Sequence, residues 1–367
     1  MKDREHRRHG RARPEFARYG AGAAIVLAGM SVCGVAHAAG YDTPMLYSAR
    51  HLGMGGSAIG YVDDPSALFH NPAGLAAVRH AGVLGDFSLL LGHVHGSPNV
   101  LAQNRTSELT VAPFFLVGGA FRVHRLLTVG LGIYPIASSG ATYEYGQPGF
   151  EDTTKLLFVE GSLAVGVNLA PRLRLGLGYR VTFVELERFS GNRDDGTTPF
   201  LDFRLRGHNF GGFRVGLQFD ATPDWKVGVS YRHQVTTRVE NELGVALRAP
   251  YEDVHTEFLL PSKLGLGTRY DLDGTGVPVS AALDLEYTFG SQNVGTPLIG
   301  VPRGGTDSIA VPNVFEWDDS LTARVGLEYR VGQYLTRGAR VATDAANLPD
   351  AGWAFRLGYV LDTRATN

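Results

Sequence analysis

The sequence predicts an all-β protein, a transmembrane antiparallel β-barrel, and three observations support this prediction. From Gly82 onward, long runs alternate between apolar residues and polar or glycine residues, which is the period of a strand with one apolar face. These runs are roughly 10–16 residues long, above the ~5–6 usual in soluble proteins, and their apolar faces often end in Tyr, Trp or Phe. The connections alternate between short turns and long loops, as in barrels that cross membranes. A soluble β-sandwich is the competing interpretation.

The first 38 residues have the features of an export signal. Basic residues precede an apolar core, Ala21–Val35, and Ala36-His37-Ala38 supplies a small-x-small cleavage pattern. We therefore assign residues 1–38 to a signal peptide. The alternative is a lipoprotein signal that ends at Cys33, although a small residue is expected where Val32 stands. Cys33 is the single cysteine, so a processed chain has no disulfides.

The overall composition excludes some classes of protein. The formal net charge of −2 gives no indication of a nucleic-acid partner. After the signal peptide, no run of roughly 18 apolar residues occurs that would predict a membrane-spanning helix. Glycine is in excess: 48 of the 367 residues, nearly twice the usual ~7%.

Residues 39–80 differ from the rest because they are rich in turns. The stretch HLGMGGSAIGYVDDPSALFHNPAGLAAV contains five glycines, and Pro65 and Pro72 fix φ and withhold backbone donors. Asp64 can cap a short helical turn. We expect a compact segment here, and the alternative is an ordinary exported linker.

Residues 81–367 carry about eleven predicted strands. An odd number is unexpected, because single-chain bacterial barrels have even numbers, and the last residues, LDTRATN, lack the expected aromatic terminus. We therefore expect the barrel to be incomplete at its C-terminal side. The strands are predicted near 81–95, 113–124, 127–137, 154–169, 173–188, 201–220, 224–240, 255–271, 277–290, 317–331 and 352–362, with long loops over 96–112, 138–155, 189–201, 241–254 and 291–316.

Three groups of residues together resemble the FadL/TodX (OMPP1) family. The first is Gly53-Met54-Gly55-Gly56, followed by Asp63-Asp64-Pro65-Ser66 and then Asn71-Pro72-Ala73-Gly74. The second is the hairpin NFGGFRVGLQFDATPDWKVGVSYRHQV, and the third comprises LPSKLGLGTRYDL, VSAALDLEYTFGSQN and GWAFRLGYVLDTRATN. The resemblance runs from about Ala39 to the end of the chain.

The resemblance implies a fold and a function. It implies a fourteen-stranded barrel of the bacterial outer membrane, plugged by an N-terminal hatch (39–80) with Asn71, Pro72, Ala73 and Gly74 as its motif. The implied function is passive uptake of long-chain fatty acids or other hydrophobic compounds, such as hydrocarbons, by a monomer. A ligand is captured at the loops, held in the lumen, and released sideways through the wall into the outer-membrane lipid when the hatch rearranges.

The resemblance also points to a lateral opening at a kink in the third strand. Here that strand contains Gly132, Tyr134 and Pro135. Because proline removes a ladder hydrogen bond, a kink at Pro135 is plausible on physical grounds as well. The alternative is that Pro135 marks the end of the strand.

Candidate ligand-binding residues follow from strand parity. Arg180 and Arg232 are predicted to face the lumen, where a guanidinium can bind a fatty-acid carboxylate. The alternative is a structural lattice of lumen charges. Phe114 and Leu116 give the strand at 113–124 a second apolar face, which suits either a ligand pocket or packing against the hatch. The charges predicted to face inward are Arg174, Arg180, Arg204, Arg206, Arg214, Arg232, Arg269, Asp284, Glu286, Arg324, Glu328, Arg330 and Arg356.

Other functional classes have weaker support. His93 and His95 share a strand face but have no evident third metal ligand, and DLDGTG lacks the later acidic residue of a calcium loop. No cofactor is expected, and no Ser-His pair indicates an enzyme. The alternative function is a related barrel of the type IX secretion shuttle kind, which binds protein cargo.

Overall fold

A computed structural model describes residues 47–96, 105–144, 149–193, 196–272, 278–312, 315, 317–330 and 353–363. The predicted signal peptide and residues 39–46 lie outside the described residues. No helix among the described residues is long and apolar enough to cross a membrane.

The described chain is almost entirely strand, preceded by three short helical turns. These are α1 (Ala49–Leu52), α2 (Ala67–His70) and a 3₁₀ helix (Pro72–Ala77), and a further 3₁₀ turn spans Gly290–Gln292. The strands are β1 (Ala81–Gly92), β2 (His95–Gly96), β3 (Arg105–Thr106), β4 (Thr110–His124), β5 (Leu127–Glu144), β6 (Phe150–Ala170), β7 (Leu173–Asn192), β8 (Leu201–Asp220), β9 (Trp225–Arg232), β10 (Val235–Ala246), β11 (Ala249–Leu260), β12 (Lys263–Asp271), β13 (Val279–Thr288), β14 (Leu298–Pro302), β15 (Ile309–Val311), β16 (Ser320–Arg330) and β17 (Ala354–Asp362).

Eleven of the described strands form one antiparallel path, in the order β1-β4-β5-β6-β7-β8-β9-β12-β13-β16-β17. We call this path the wall. At one end its strands are joined by short connections, such as Arg125-Leu126 and Pro171-Arg172, and we call this the short-turn end. At the other end, the long-hairpin end, β10 continues β9, β11 precedes β12, and β14 and β15 add to β11.

The outer face of the wall is apolar. Val83 is 89% exposed and Leu131 is 65% exposed, and similar side chains recur at every second position along the strands. A surface of this kind is unfavourable in water and favourable in lipid, which is the arrangement of a membrane barrel.

Two predicted loops are wrong, because they are largely strand. Residues 138–144 extend β5 and pair with β6 as far as Glu144 opposite Glu151. Residues 241–254 lie mostly in β10 and β11, which are joined at Leu247 and Arg248. Both turn residues have positive φ, 52° and 63°, as in a two-residue hairpin turn. Such turns usually carry Asn or Gly, so these two residues gave no turn signal.

The prediction that Arg204 and Arg206 face the lumen is also wrong. One extra residue near Asn209 shifts the register, since Thr182 pairs with Asn209 but Arg180 pairs with Gly212. A bulge of this kind reverses the side-chain faces beyond it. The side chains of Arg204 and Arg206 are 54% and 65% exposed, and both pair with Glu185 on the outer face.

The inner segment, Tyr47–His80, lies against the inner face of the wall. It contacts all eleven strands of the path, through Asp86, Gly118, Tyr134, Gly166, Gly176, Arg214, Gly228, Gly267, Asp284, Gly326 and Gly358. Many of these contacts require glycine. A Cβ at Gly216 would lie 1.8 Å from Asn71 Oδ1, and one at Gly358 would lie 1.8 Å from the backbone nitrogen of Gly55. Many of the wall glycines are therefore needed because they let the inner segment approach the backbone of the wall closely.

Candidate functional site

A large apolar cavity lies at the long-hairpin end of the wall. Its volume is about 640 Å³, within the ~300–1,000 Å³ range of small-molecule sites. Strands β5, β6, β7, β8, β10, β11, β14 and β15 contribute lining residues, and most of the exposed lining surface is carbon. Its aromatic side chains are Phe200, Phe203, Tyr251, Phe258, Phe315 and Trp317.

One charged side chain lines the described part of the cavity. This is Arg188 on β7, which follows the same inward parity as Arg180. Arg188 Nη1 donates to Asp152 Oδ1, and its Nη2 lies 3.3 Å from Asp152 Oδ2, so the pair is bidentate. Arg188 Nη1 also donates to the Thr153 carbonyl at 3.1 Å. The guanidinium charge is therefore neutralised within the wall.

A packed apolar layer lies next to the cavity on the side of the inner segment. Phe158, Leu205 and Val239 are fully buried there, and the ring of Phe158 meets Phe258 edge-on at 6.2 Å. Such close packing contributes stability through buried apolar area. It also separates the cavity from the charged groups beyond it.

Those charged groups centre on Glu160, which is fully buried. Glu160 Oε1 accepts a hydrogen bond from Tyr134 Oη at 2.5 Å, and Oε2 accepts from Arg180 Nε at 2.6 Å. Arg214 Nη2 lies 3.7 Å from Oε1, while Arg214 Nη1 donates to the Leu68 carbonyl at 2.6 Å. The cluster links four strands, β5, β6, β7 and β8, to helix α2 of the inner segment.

The four residues of the Asn-Pro-Ala-Gly motif are all buried, and Asn71, Pro72 and Ala73 lie against strands β7, β8 and β9. Asn71 Nδ2 lies 2.8 Å from the Ile59 carbonyl and 3.2 Å from the carbonyls of Leu217 and Val229. Its Oδ1 accepts from the backbone N–H of Ala73 at 3.1 Å, which caps the 3₁₀ helix that begins at Pro72. Gly74 packs closely on Val62, where a Cβ would clash at 2.3 Å.

A second anchor of the inner segment is Asp284 on β13. Its Oδ2 accepts from the backbone N–H groups of Ala58 and Ile59 at 2.7 and 3.0 Å. Two backbone donors on one carboxylate oxygen orient this turn against the wall.

The ladder between β4 and β5 is interrupted. The two strands pair from the short-turn end as far as Val117 opposite Ile133, and no ladder pair is recorded beyond it between the described residues. The chain just before β4 meets β5 again, where the N–H of Glu108 donates to the Thr142 carbonyl at 2.8 Å. The wall gap is the interval between residues 110–116 and 134–141.

Gly132, Tyr134 and Pro135 lie at one end of the wall gap. Gly132 still pairs with β4, and Tyr134 is fully buried against the inner segment. The β5–β6 register shifts between Pro135 and Ala137, and residues 134–137 are all buried, so the alternation of faces is lost. Tyr47 Oη donates to the Pro135 carbonyl at 2.5 Å, which joins the inner segment to this edge.

Phe114 and Leu116 lie on the β4 side of the wall gap. Leu116 is fully buried and Phe114 partly so, and both pack in a cluster with Leu68, Tyr134 and Ala120. They do not belong to the cavity lining. Their role in ligand binding stays a prediction.

Arg180 and Arg232 both face inward, as expected from parity. Arg180 pairs with Glu160, and its Nη1 donates to the His233 carbonyl at 2.9 Å. Arg232 Nη2 donates to the Pro261 carbonyl at 3.1 Å. Neither belongs to the lining of the cavity, so their role as carboxylate ligands stays a prediction.

Other predicted inward charges form ion pairs across the wall. Arg269 and Arg356 both pair with Glu328, at 2.9 and 2.7 Å, and Arg324 lies 3.3 Å from Glu286. Sequence reasoning missed Glu160, Arg188 and Asp152. Glu160 and Arg188 could have been identified from the sequence, because both occupy inward positions on predicted strands.

No group of described residues could hold a metal ion. His93 Nδ1 lies 2.9 Å from the Ser107 carbonyl, and His95 Nδ1 lies 2.8 Å from Thr106 Oγ1.

Two histidines of the inner segment are buried and neutral. Burial lowers the pKa of His51 to about 3, assisted by the charge of Arg50. Burial also lowers the pKa of His70 to about 3, and its neighbour His51 contributes in the same direction. The rings are 5.1 Å apart, and His51 Nε2 lies 3.9 Å from Asp64 Oδ2.

Acid should therefore destabilise the inner segment. An unfolded histidine takes up a proton below pH ~6.5, whereas the folded histidine stays neutral down to about pH 3. The free energy of unfolding is therefore highest above pH ~6.5 and falls as the pH is lowered toward 3. At pH 5 each histidine should lower the free energy of unfolding by about 2 kcal/mol, because one pKa unit corresponds to ~1.4 kcal/mol. Amide hydrogen exchange of residues 47–80, corrected for intrinsic rates, measures this effect. The double variant His51→Gln/His70→Gln should lose most of the pH slope, and an unchanged slope would contradict the explanation.

Comparison with known proteins adds to this geometry. No protein-family model matches the chain, and no curated protein matches it. Solved structures do match. A FadL homologue from Pseudomonas aeruginosa is similar with a TM-score of 0.63 and 14% identity, over 90% of this chain and 82% of that chain.

Two hydrocarbon transporters are also similar. The Ralstonia pickettii toluene transporter TbuX has a TM-score of 0.59 and 17% identity, over 89% of this chain and 88% of that one. The P. putida toluene transporter TodX has a TM-score of 0.61 and 15% identity, over 87% and 83%. The predicted fold class, an all-β antiparallel membrane barrel, is thereby confirmed.

Proposed function

We propose that this chain is an outer-membrane channel for the passive uptake of hydrophobic compounds, either fatty acids or hydrocarbons. The compound enters at the long-hairpin end and binds in the apolar cavity. It then leaves sideways through the wall gap when the inner segment, acting as a hatch, rearranges. The cavity is the observation that carries this proposal, because about 640 Å³ of aromatic and aliphatic lining suits an apolar guest.

The interrupted β4–β5 ladder supports a lateral exit. Backbone groups without a ladder partner are costly in lipid, so a wall in a membrane does not lose pairing without compensation. Here Tyr47 contacts Pro135, and Phe114 and Leu116 cover the inner side. Ser139 lines the cavity and lies within the unpaired stretch of β5, so cavity and wall gap are adjacent along one strand.

The similar solved structures are described as transporters and channels, which favours transport over the alternative of a barrel that binds protein cargo. The same comparison supports a protein without enzymatic activity. A cavity of this volume, lined by residues from eight strands, also fits a small molecule better than a folded protein partner.

Filling the cavity should abolish ligand binding. Gly300 lines the cavity, and a Cβ there would lie 3.3 Å from the Tyr251 ring, so Gly300→Leu should occupy the site. We expect at least a tenfold weaker affinity for a labelled hydrophobic compound, corresponding to roughly 1.4 kcal/mol, measured by equilibrium dialysis of the reconstituted full chain. Gly161→Leu is the matched control, because Gly161 has open space around it. Equal binding by both variants would contradict the assignment.

A further inference from the structure

We propose that the cavity selects uncharged hydrophobic compounds and rejects carboxylates, because its charged lining residue Arg188 is already neutralised by Asp152. This inference rests on the proposed function and narrows its substrate class. It separates hydrocarbons and other neutral molecules from ionised fatty acids.

The first step of the argument is the geometry of the ion pair. Arg188 meets both carboxylate oxygens of Asp152 and also the Thr153 carbonyl. A bidentate pair uses the fork of the guanidinium that a fatty-acid carboxylate would need. A ligand carboxylate would therefore either displace Asp152 or share a guanidinium whose charge Asp152 already neutralises, with no net gain of charge pairs.

The second step concerns other cations near the cavity. At the long-hairpin end, Arg193 pairs with Glu151 at 3.0 Å and Arg303 lies 3.5 Å from Glu252. Arg248 is exposed at the β10–β11 turn and does not belong to the lining. Lys155, which follows the lining residue Thr154, pairs with Glu187 at 3.8 Å. In the sequence, residues 145–148, 194–195, 313–314 and 316 include no Lys or Arg.

The third step excludes a deeper head-group site reached from the cavity. Arg180 lies six residues from the lining residue Leu186 on the same strand, roughly 20 Å at ~3.3 Å per residue. Phe158, which pairs with Val184 and is fully buried, lies between these levels. Arg180 is fully buried and paired with Glu160, so a carboxylate in the cavity does not reach it.

An unpaired carboxylate in such a cavity is strongly disfavoured, because burying a charge without a partner costs far more than burying a hydroxyl. Ser139 and Thr154 line the cavity, and their hydroxyls can form a hydrogen bond with the oxygen of an alcohol or ether. These groups do not neutralise an anion. The lining therefore suits an aromatic or aliphatic molecule with at most a neutral polar group.

The test compares 1-hexadecanol with hexadecanoate at pH 8, where the acid is ionised. The full chain is reconstituted in phospholipid nanodiscs with Trp225 and Trp353 replaced by Phe, so that Trp317, which lines the cavity, reports binding by fluorescence. We expect the alcohol to bind at least ~10-fold more tightly. In Asp152→Asn the guanidinium is released, and the affinity for hexadecanoate should rise by about tenfold while that for hexadecanol stays constant.

The controls distinguish a failure of the proposed selectivity from a failure of the proposed channel function. Glu151→Gln is the matched control, because its partner Arg193 lies outside the cavity lining, and Arg188→Gln combined with Asp152→Asn should cancel the gain. Equal affinities of the wild type for both ligands would overturn the inference and leave the channel function intact. An unchanged preference in Asp152→Asn would also overturn it. Binding of neither ligand would instead contradict the proposed function. If Asp152→Asn fails to fold, the wild-type comparison still decides the inference.

Discussion

Replacing Glu160 by Gln should destabilise the protein by about 3–5 kcal/mol, because it leaves buried positive charge uncompensated. Arg180 has no exposed surface and Arg214 is nearly as buried. Both depend on the Glu160 carboxylate, and Arg214 also holds the Leu68 carbonyl of the inner segment. Denaturant unfolding of the chain in lipid vesicles measures the change, with the electrophoretic mobility shift of folded barrels as a second readout.

Two further variants make this result specific. Glu151→Gln breaks a partly exposed pair with Arg193 and should cost less than ~1 kcal/mol. Glu160→Gln/Arg180→Gln removes both members of the buried pair and should recover part of the loss, since no orphaned charge remains at Arg180. A Glu160→Gln variant as stable as Glu151→Gln would show that the buried cluster does not stabilise the fold.

Blocking the wall gap should reduce uptake to the background rate. Ala112 lies on β4 opposite Leu90, in the part of β4 without a β5 partner. An Ala112→Cys variant labelled with a bulky maleimide places a large group at the gap. On the proposed assignment of residues 1–38 to a cleaved signal peptide, Cys33 is removed and the introduced cysteine is the reactive thiol of the processed chain.

The control for this experiment is the same label at Ala281. That residue pairs with Tyr270 on one side and Leu327 on the other, so its ladder is intact. We expect labelled Ala281→Cys to transport at the unlabelled rate, while labelled Ala112→Cys loses at least ~90% of its uptake, a tenfold change in rate or ~1.4 kcal/mol of barrier. Equal uptake by both labelled variants would rule out lateral exit at this place.

The wall could be predicted from the sequence because lipid on one face and a polar lumen on the other impose a period of two. Strand β8 was predicted with its observed limits, Leu201–Asp220, and the order of the wall strands follows the chain. The ends of β5 and β10 were missed because the alternation of apolar and polar faces weakens beyond the apolar band. There, pairing depends on the neighbouring strand and on a turn such as Leu247-Arg248 that carries no sequence signal.

The site was harder to predict than the fold. Parity identified Arg180 as an inward residue, but parity does not say which partner an inward residue meets, and its partner Glu160 was overlooked. The bulge near Asn209 reversed the faces of Arg204 and Arg206, and a register shift of one residue is sufficient for that. The cavity gathers residues from eight strands, and their convergence depends on how the strands curve.

The central claim is that the cavity serves the uptake of hydrophobic compounds, and uptake itself is its most direct test. Cells without a transporter of their own for such compounds would express the full chain or its Gly300→Leu variant, and receive a radiolabelled aromatic hydrocarbon at low concentration. We predict rapid saturable uptake with the wild type, and uptake near that of the empty vector with Gly300→Leu, whose cavity is filled. Wild-type uptake no faster than the empty vector, with the protein folded in the outer membrane, would contradict the account.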